Sequence, residues 1–521
     1  MLKSNYYQEP SEIDQIVFDK LVPADHHLRR VKELIDFESF RDLVQDCYSS
    51  SMGRTAEDPV RLIKLEYLEF QYGLSDREVL KQTQVNVAFR YFLDLSLDSP
   101  LPTSGLLSQF RTRLGEERHR KLLEALVSQA RVKGLVKDRL RLKDATHVIA
   151  NIAIPSAIQL VAQTRTRLLR SAKPYAQERV VGEEERAKQI RLLTDDLKDE
   201  ERLMARVEHL RQIVSWADEL QDGLGAAQAD DHPRKRLDEA LRLAHQIVDQ
   251  NDHPDQKDKI RSAHDPDARK GKHGDYYDGY QLDISLDADS ELITEVDIRP
   301  ANQDEAANAQ NLIEREEQAH GNDIAAISMD KIGFRGEILR KLKDAQGLGL
   351  EVYVPPQRWS GYETGYFTPD DFHLAEDGQL LICPAEEETR IRHRGNKDTG
   401  WQFSFKLSQC GPCLLLTKCL EKLPANCGRQ VHKNDYEAEY RAARELAKTE
   451  AYTQVRKEHP KVERKFAEIM RFHDGRRTRY RGRWRVAIQY LLTAWVVNIK
   501  RMVKLLSAPA KDGVRQPAAS G

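Results

Sequence analysis

Three carboxylates stand where this chain's patterning would present acids at an edge. Asp144 lies in the β-rich run LRLKDATHVIANIAI, and Asp330 ends the apolar run DIAAISMD. Glu463 lies in HPKVERKFAEIM, where Pro460 suits the first position of a helix and Val462, Phe466 and Ile469 give that helix a buried face. A carboxylate at the end of an apolar strand is costly to bury unless it is exposed, paired or bound to metal. Three such acids can hold two Mg²⁺ ions, one lowering the pKa of an attacking water or 3′-hydroxyl and the other stabilising the leaving oxygen of an in-line phosphoryl displacement. Mg²⁺ keeps several of its waters, so few protein ligands suffice. Each acid taken alone reads equally well as a solvated strand end or helix face. Asp265 and Asp267 are rivals for the second position, ranked lower because they precede a hairpin in a polar loop.

A basic segment adjoins the third acid. Residues 454–505 hold 15 Lys+Arg against 4 Asp+Glu, a local charge of +11 inside a chain whose total is -2. The near-neutral total is therefore a sum of opposed segments and does not argue against a polyanionic partner. The centre, RRTRYRGRWR, sets Arg476, Arg477, Arg479, Arg481, Arg483 and Arg485 among Tyr480 and Trp484. Guanidinium groups bind phosphates bidentately and rings stack on frayed bases, so this segment is expected to contact DNA, mostly through its backbone. Cysteines form a second cluster: Cys383, then Cys410-x2-Cys413, then Cys419, with Cys427 beyond. The first four can make a structural four-thiolate zinc site or remain reduced, partly buried thiols. Cys47 stands apart and reads as core.

The elements that must position these residues follow from periodicity. Residues 1–21 are polar, without a period, and read as a flexible N-terminus. Residues 22–135 read as a helical domain. Val60, Leu62, Ile63, Leu65, Leu68 and Tyr72 recur at helical spacing, Gly73 breaks the run, and Ser75 with Glu78 has the spacing of a capping box. Helix, short turn, helix is the outline of a helix-turn-helix, which serves DNA reading or merely packing. A strand near 140–154, a hairpin at 280–298, a helix, an apolar strand ending at Asp330, another helix and a short strand at 350–354 alternate as an α/β core with a mixed sheet. That core spans 136–356 and 436–505. It is interrupted by a charged helical insert at 158–260, read as a solvated structural insertion or else as a long helical hairpin or partner-facing coil, and by a strand- and turn-rich insert at 357–435 that holds the cysteines. Residues 506–521 read as a disordered tail. No run approaches the length of a membrane helix and no secretory signal is present, so no membrane partner and a cytoplasmic location are expected.

Four stretches together resemble a bacterial insertion-sequence transposase of the DDE class, with a ribonuclease-H-like catalytic domain: GLSDREVLKQTQVNVAFRYFLDL with SGLLSQFRTRLGE; KDATHVIANIA; DPDARKGKHGDYYDGYQLDISLD with ITEVDIRPAN; and VERKFAEIMRFHDGRRTRYRGRWRV with VVNIKRM. The resemblance covers most of residues 20–505 and implies Asp144, Asp330 and Glu463 as the metal-binding catalytic triad. It also implies Arg471 as the basic residue one to two turns after the Glu. The family's Tyr and Arg upstream of that Glu are matched at shifted spacing by Tyr452 and Arg456, and Lys331-Ile332 intervene before the Gly333-Phe334 that relatives carry nearer the second Asp. The implied activity is Mg²⁺-dependent cleavage and strand transfer on double-stranded DNA, at the inverted-repeat ends of an element and at a target, by a homodimer or larger assembly. The alternatives are an inactive, DNA-binding relative acting as a repressor, and a helical scaffold built on the 158–260 insert.

Overall fold

The computed structural model describes residues 2, 6, 11–49, 55–224, 231–344, 347–357, 365–394, 399–422, 424 and 426–507. Most of the expected tail, 508–521, lies outside them.

The mixed sheet is built around β1 (Arg141–Ile149). One edge of β1 pairs antiparallel with β3 (Asp275–Asp287), and the other pairs parallel with β5 (Ala326–Ser328), which in turn pairs parallel with β6 (Glu351–Tyr353). The far edge of β3 takes β2 (Arg269–His273) and β4 (Ile293–Pro300), both antiparallel. This is the mixed sheet of a ribonuclease-H-like core. The hairpin expected at 280–298 is β3–β4. The strand expected at 323–329 is shortened to three residues, because only Ala326–Ser328 lie between two parallel neighbours. At the root of β1 the Arg141 guanidinium is fully buried, and Glu316 and Asp287 satisfy it at 2.7 and 2.9 Å.

The N-terminal domain is helical, and it begins earlier than its polarity suggests. Glu12–Leu21 is a helix capped by a Ser11–Asp14 box, with Phe18 buried and Asp14 accepting the Leu97 N–H at 2.9 Å. The expected flexible N-terminus is thus ordered from residue 11, since two buried contacts suffice to dock a short, mostly polar helix. The helix-turn-helix is Pro59–Gln71 and Asp76–Val85, with the Ser75–Glu78 capping box formed. A helix broken at Gly115, Ser104–Val132, then leads to the sheet.

The long C-terminal helix Arg483–Leu506 is buried on every face from Val486 to Ile499. A helix apolar all round belongs in a core. This one packs against β4, Ser104–Val132 and Pro59–Gln71, so the N-terminal domain and the sheet share a single core. Trp495 sits edge-on to Phe37, Phe40 and Tyr67 at 5.5–6.0 Å between ring centres. The helical insert is four helices, Ala157–Ala172, Gln177–Leu193, Asp199–Gly223 and His232–Asp252, closed around a separate core that includes Leu168, Leu210 and Leu241. It is a self-packed bundle, as a structural insertion would be and unlike a simple hairpin or coil, because its apolar positions pair with one another across the bundle. No helix among the described residues is long and apolar enough to cross a membrane.

Candidate active site

Strands β1 and β5 run together for only two residues, Arg141 beside Ile327 and Leu142 beside Ser328, and then separate. Two residues on, along each strand, stand Asp144 and Asp330. A period of two puts both on the face set by Leu142 and Ser328. The aspartates therefore stand side by side where β5 ends and leaves β1, the kind of divergence at which open α/β sheets leave a crevice. Asp330 is exposed and Asp144 half-buried. Burial pushes the Asp144 carboxyl up to about 7, and the nearby charges of Asp330 and Glu305 raise it further, against relief from its own bond to the Ala145 N–H and from Lys143. Acids that crowd each other in this way invite a cation. Lys143 is tied elsewhere, to Asp283 at 2.7 Å.

The helix Pro460–Phe472 packs on β1 and carries Glu463 in its first turn, facing solvent, while Val462, Phe466 and Ile469 are buried as expected. The residues just before it are fastened to the strand that bears Asp330. Arg456 donates to Ser328 Oγ at 3.1 Å and to the Met329 carbonyl at 2.9 Å, and His459 Nδ1 lies 3.1 Å from the same hydroxyl. Burial, then the charge of Arg456, pushes His459 down to about 4, so it is a neutral partner. Ser328, His459 and Glu305 carried no signal in the sequence; only the shifted match at Arg456 pointed here. Among the described residues, no three His, Cys, Asp or Glu side chains are gathered as a bound metal would hold them.

The rival acids are otherwise engaged. Asp265 is fully buried and accepts from the Tyr280 hydroxyl, and Asp267 accepts the Arg483 N–H at 3.0 Å, at the start of the C-terminal helix. The polar loop expected there is folded against the strand, and its acids anchor a helix start.

Past the aspartates, β1 gains a new neighbour. Ile149 donates to the Arg476 carbonyl at 2.9 Å and accepts from Thr478 N–H at 3.0 Å, a parallel bridge. Arg476 also donates to the His147 carbonyl at 2.7 Å, and Arg481 to the Asn151 carbonyl at 2.9 Å. The arginine segment thus takes the edge of β1 that β5 has left.

Comparison with protein families adds two matches. A family described as Transposase domain (DUF772) matches residues 16–113, and one described as Transposase DDE domain matches residues 382–503. The matches identify an N-terminal transposase domain and a C-terminal DDE transposase domain, consistent with a DDE-class transposase. Neither a comparison with curated proteins nor one with solved structures finds a match.

The DDE match includes the insert from residue 382 with its cysteines, Glu463 and the whole arginine block. The arginines divide by what they touch. Arg471, Arg477, Arg481 and Arg485 are exposed. Arg479 and Tyr480, expected on DNA, are half-buried where the segment meets the helix-turn-helix. Arg479 lies over the Phe70 ring at 4.8 Å and 3.6 Å from Glu69, and Tyr480 lies under the Arg111 guanidinium at 5.6 Å. Arg483 leans on Glu116 at 3.3 Å. The reason is a buried acid cluster, Glu66 and Glu69, whose charge draws in the nearest cations; sequence spacing does not show that cluster facing the block. Between the helix-turn-helix turn, Gly73 to Glu78, and Tyr480, Trp484 and Arg485 lies a cleft of about 590 Å³. In the second insert, Cys383, Cys410, Cys413 and Cys419 line one narrow cavity, which Cys427 does not.

Proposed function

We propose that this transposase binds the terminal inverted repeats of an insertion sequence and, with Mg²⁺, cleaves those ends and joins them to target DNA. The observation that carries the reading is the pairing of Asp144 and Asp330 at the divergence of β1 and β5, with arginines hydrogen-bonded onto the same strand. The carboxyl crowding at Asp144 fits a divalent cation: Asp144, Asp330 and Glu463 would hold it. When bound, Mg²⁺ supplies charge stabilisation to the attacking and leaving oxygens of a phosphoryl transfer. The chain's own residues supply the rest. Arg456 and His459 fix the end of β5, and with it Asp330. Arg471, Arg477, Arg481 and Arg485 hold phosphates, and the exposed Arg77, Lys81 and Gln82 of the helix after the turn face out to meet a groove. Two ends must be brought together, so the active complex contains at least two copies of the chain, working in the cytoplasm where DNA is accessible.

The test is cleavage of DNA carrying the gene's flanking repeats in the presence of Mg²⁺. Asp144→Asn, Asp330→Asn and Glu463→Gln should each lower cleavage by roughly 10³-fold, about 4 kcal/mol of barrier, with end binding retained. Wild-type cleavage by any of the three would sink the assignment of that residue. A repressor reading draws on one observation, that among the described residues no three His, Cys, Asp or Glu side chains are gathered as a metal would hold them. Tight, specific end binding with no metal-dependent nicking by the unaltered chain would favour it.

A further inference from the structure

The second insert has too little core for its size. It contains two three-stranded sheets, β7 (His373–Leu374), β8 (Leu381–Ile382) and β9 (Glu388–Thr389), then β10 (Arg392–Arg394), β11 (Trp401–Ser404) and β12 (Gln430–Lys433). The buried apolar residues that unite them are Phe372, Leu381, Phe403, Phe405 and Val431. Modules with so small a core are ordinarily stapled by disulfides or by a metal. All its cysteines are free thiols, so disulfides do not do it.

Four of those thiols converge. Cys383 follows β8, Cys410 and Cys413 flank the end of the short helix Leu407–Cys410, and Cys419 ends the helix Leu416–Cys419. They line a cavity of about 30 Å³, the room of a single ion or water and not of an organic ligand. Cys410 Sγ accepts the Arg429 N–H at 3.3 Å, the bond that metal thiolates take from the backbone around them. The approach needs glycine at 428, because a Cβ there would stand 2.6 Å from that sulfur. The Arg429 guanidinium, which donates to the Phe367 carbonyl at 3.1 Å, also borders the cavity and offsets thiolate charge.

We propose that Cys383, Cys410, Cys413 and Cys419 bind one structural Zn²⁺ that staples the two small sheets into one module. Binding replaces thiol protons with four Zn–S bonds of about 2.3 Å. The thiols must turn inward to make them, since among the described residues no three yet stand at metal geometry. The module in turn steadies the segment after Asp330. Leaving β12, the chain docks on the helix Gly336–Lys343: the Tyr440 hydroxyl accepts the Gly336 N–H at 2.9 Å, and Arg340 donates to the Asp435 carbonyl at 2.9 Å. The zinc therefore holds the second aspartate's surroundings without touching the reaction.

Metal analysis of the full chain, purified without chelator, tests this. About one zinc per chain is expected, and cobalt exchanged for it should show the strong thiolate-to-cobalt absorption of tetrahedral sulfur ligation. Cys410→Ser and Cys413→Ser should lose the metal, while Cys427→Ser keeps it. Binding of repeat-end DNA, read in parallel, shows that the rest of each variant is folded. Substoichiometric zinc even after supplementation, with all four thiols open to a thiol reagent in the native chain, would overturn the proposal. So would iron in place of zinc, or full zinc retention in Cys410→Ser. None of these readouts depends on DNA cleavage.

Discussion

His459 shows how a single residue can position a site without belonging to it. It is buried and neutral, shares the Ser328 hydroxyl with Arg456, and stands one helical turn before Glu463. His147 is pushed down to about 4 in the same way, first by burial and then by Arg476. A histidine whose folded value lies below its unfolded one stabilises the chain above the unfolded value, near 6.5, and loses that contribution as the pH falls toward 4. The raised carboxyls of Asp144 and Glu69 act in the opposite sense, so the measurement is a difference: the melting temperature of the wild-type chain relative to His459→Asn, which keeps a polar atom toward Ser328 but does not titrate, should fall between pH 7 and 5. A difference that stays constant with pH would remove His459 from the account. Arg111 is the matching case in the N-terminal domain. It is buried, binds Glu69 at 2.9 Å and Asp76 at 2.5 Å, and holds two buried acids in balance, although burial still pushes Glu69 up to about 8. Arg111→Met should cost about 3–5 kcal/mol in denaturant unfolding, the price of leaving buried carboxylates alone; a loss below about 1 kcal/mol would show that the acid cluster does not depend on it. Asp330 stands out in the one-dimensional pattern as a carboxylate closing an apolar strand, whereas Asp144 lies within β1 and meets it only through the register of β1 and β5. Ser328 and His459, distant in sequence and chemically ordinary, become a pair only when the helix folds onto β5.

At the scale of elements, the arginine segment illustrates both what sequence conveys and what it hides. Its charge was plain. Its division into solvent-facing and half-buried cations was not, because that depends on Glu66 and Glu69, which arrive from a helix about four hundred residues earlier in the chain. The division makes a prediction. Arg477→Glu with Arg485→Glu should weaken end binding at least about tenfold and reduce the slope of log affinity against log salt by about 2, roughly 0.9 for each phosphate no longer neutralised. Arg479→Met should instead lower stability and leave the salt slope unchanged. If Arg479→Met shifts the slope as much as the exposed pair does, the division is wrong. The Ser75–Glu78 capping box forms as its spacing predicts, since caps are local signals. The short strands β5 and β6 were read too long, because their ends are set by where neighbours diverge and not by local apolarity.

At the scale of the whole molecule, linear domain boundaries misrepresent how the cores are shared. Trp495, from the far end of the chain, completes the aromatic cluster of Phe37, Phe40 and Tyr67. A fragment of residues 11–135 should therefore bind a hydrophobic dye and unfold without cooperativity, whereas the self-enclosed insert, residues 155–264, should melt cooperatively as an isolated bundle by circular dichroism. A cooperative fold for the first fragment would refute the shared core. The bridge between Ile149 and Arg477 has a different kind of consequence. Asp144 and Ile149 are five residues apart on one unbroken strand, about 17 Å at strand rise, close to five base-pair steps of duplex DNA. Under the proposed function, grip and chemistry would share one rigid rod, and the strand would act as a ruler that fixes the distance from the held DNA backbone to the phosphate cut.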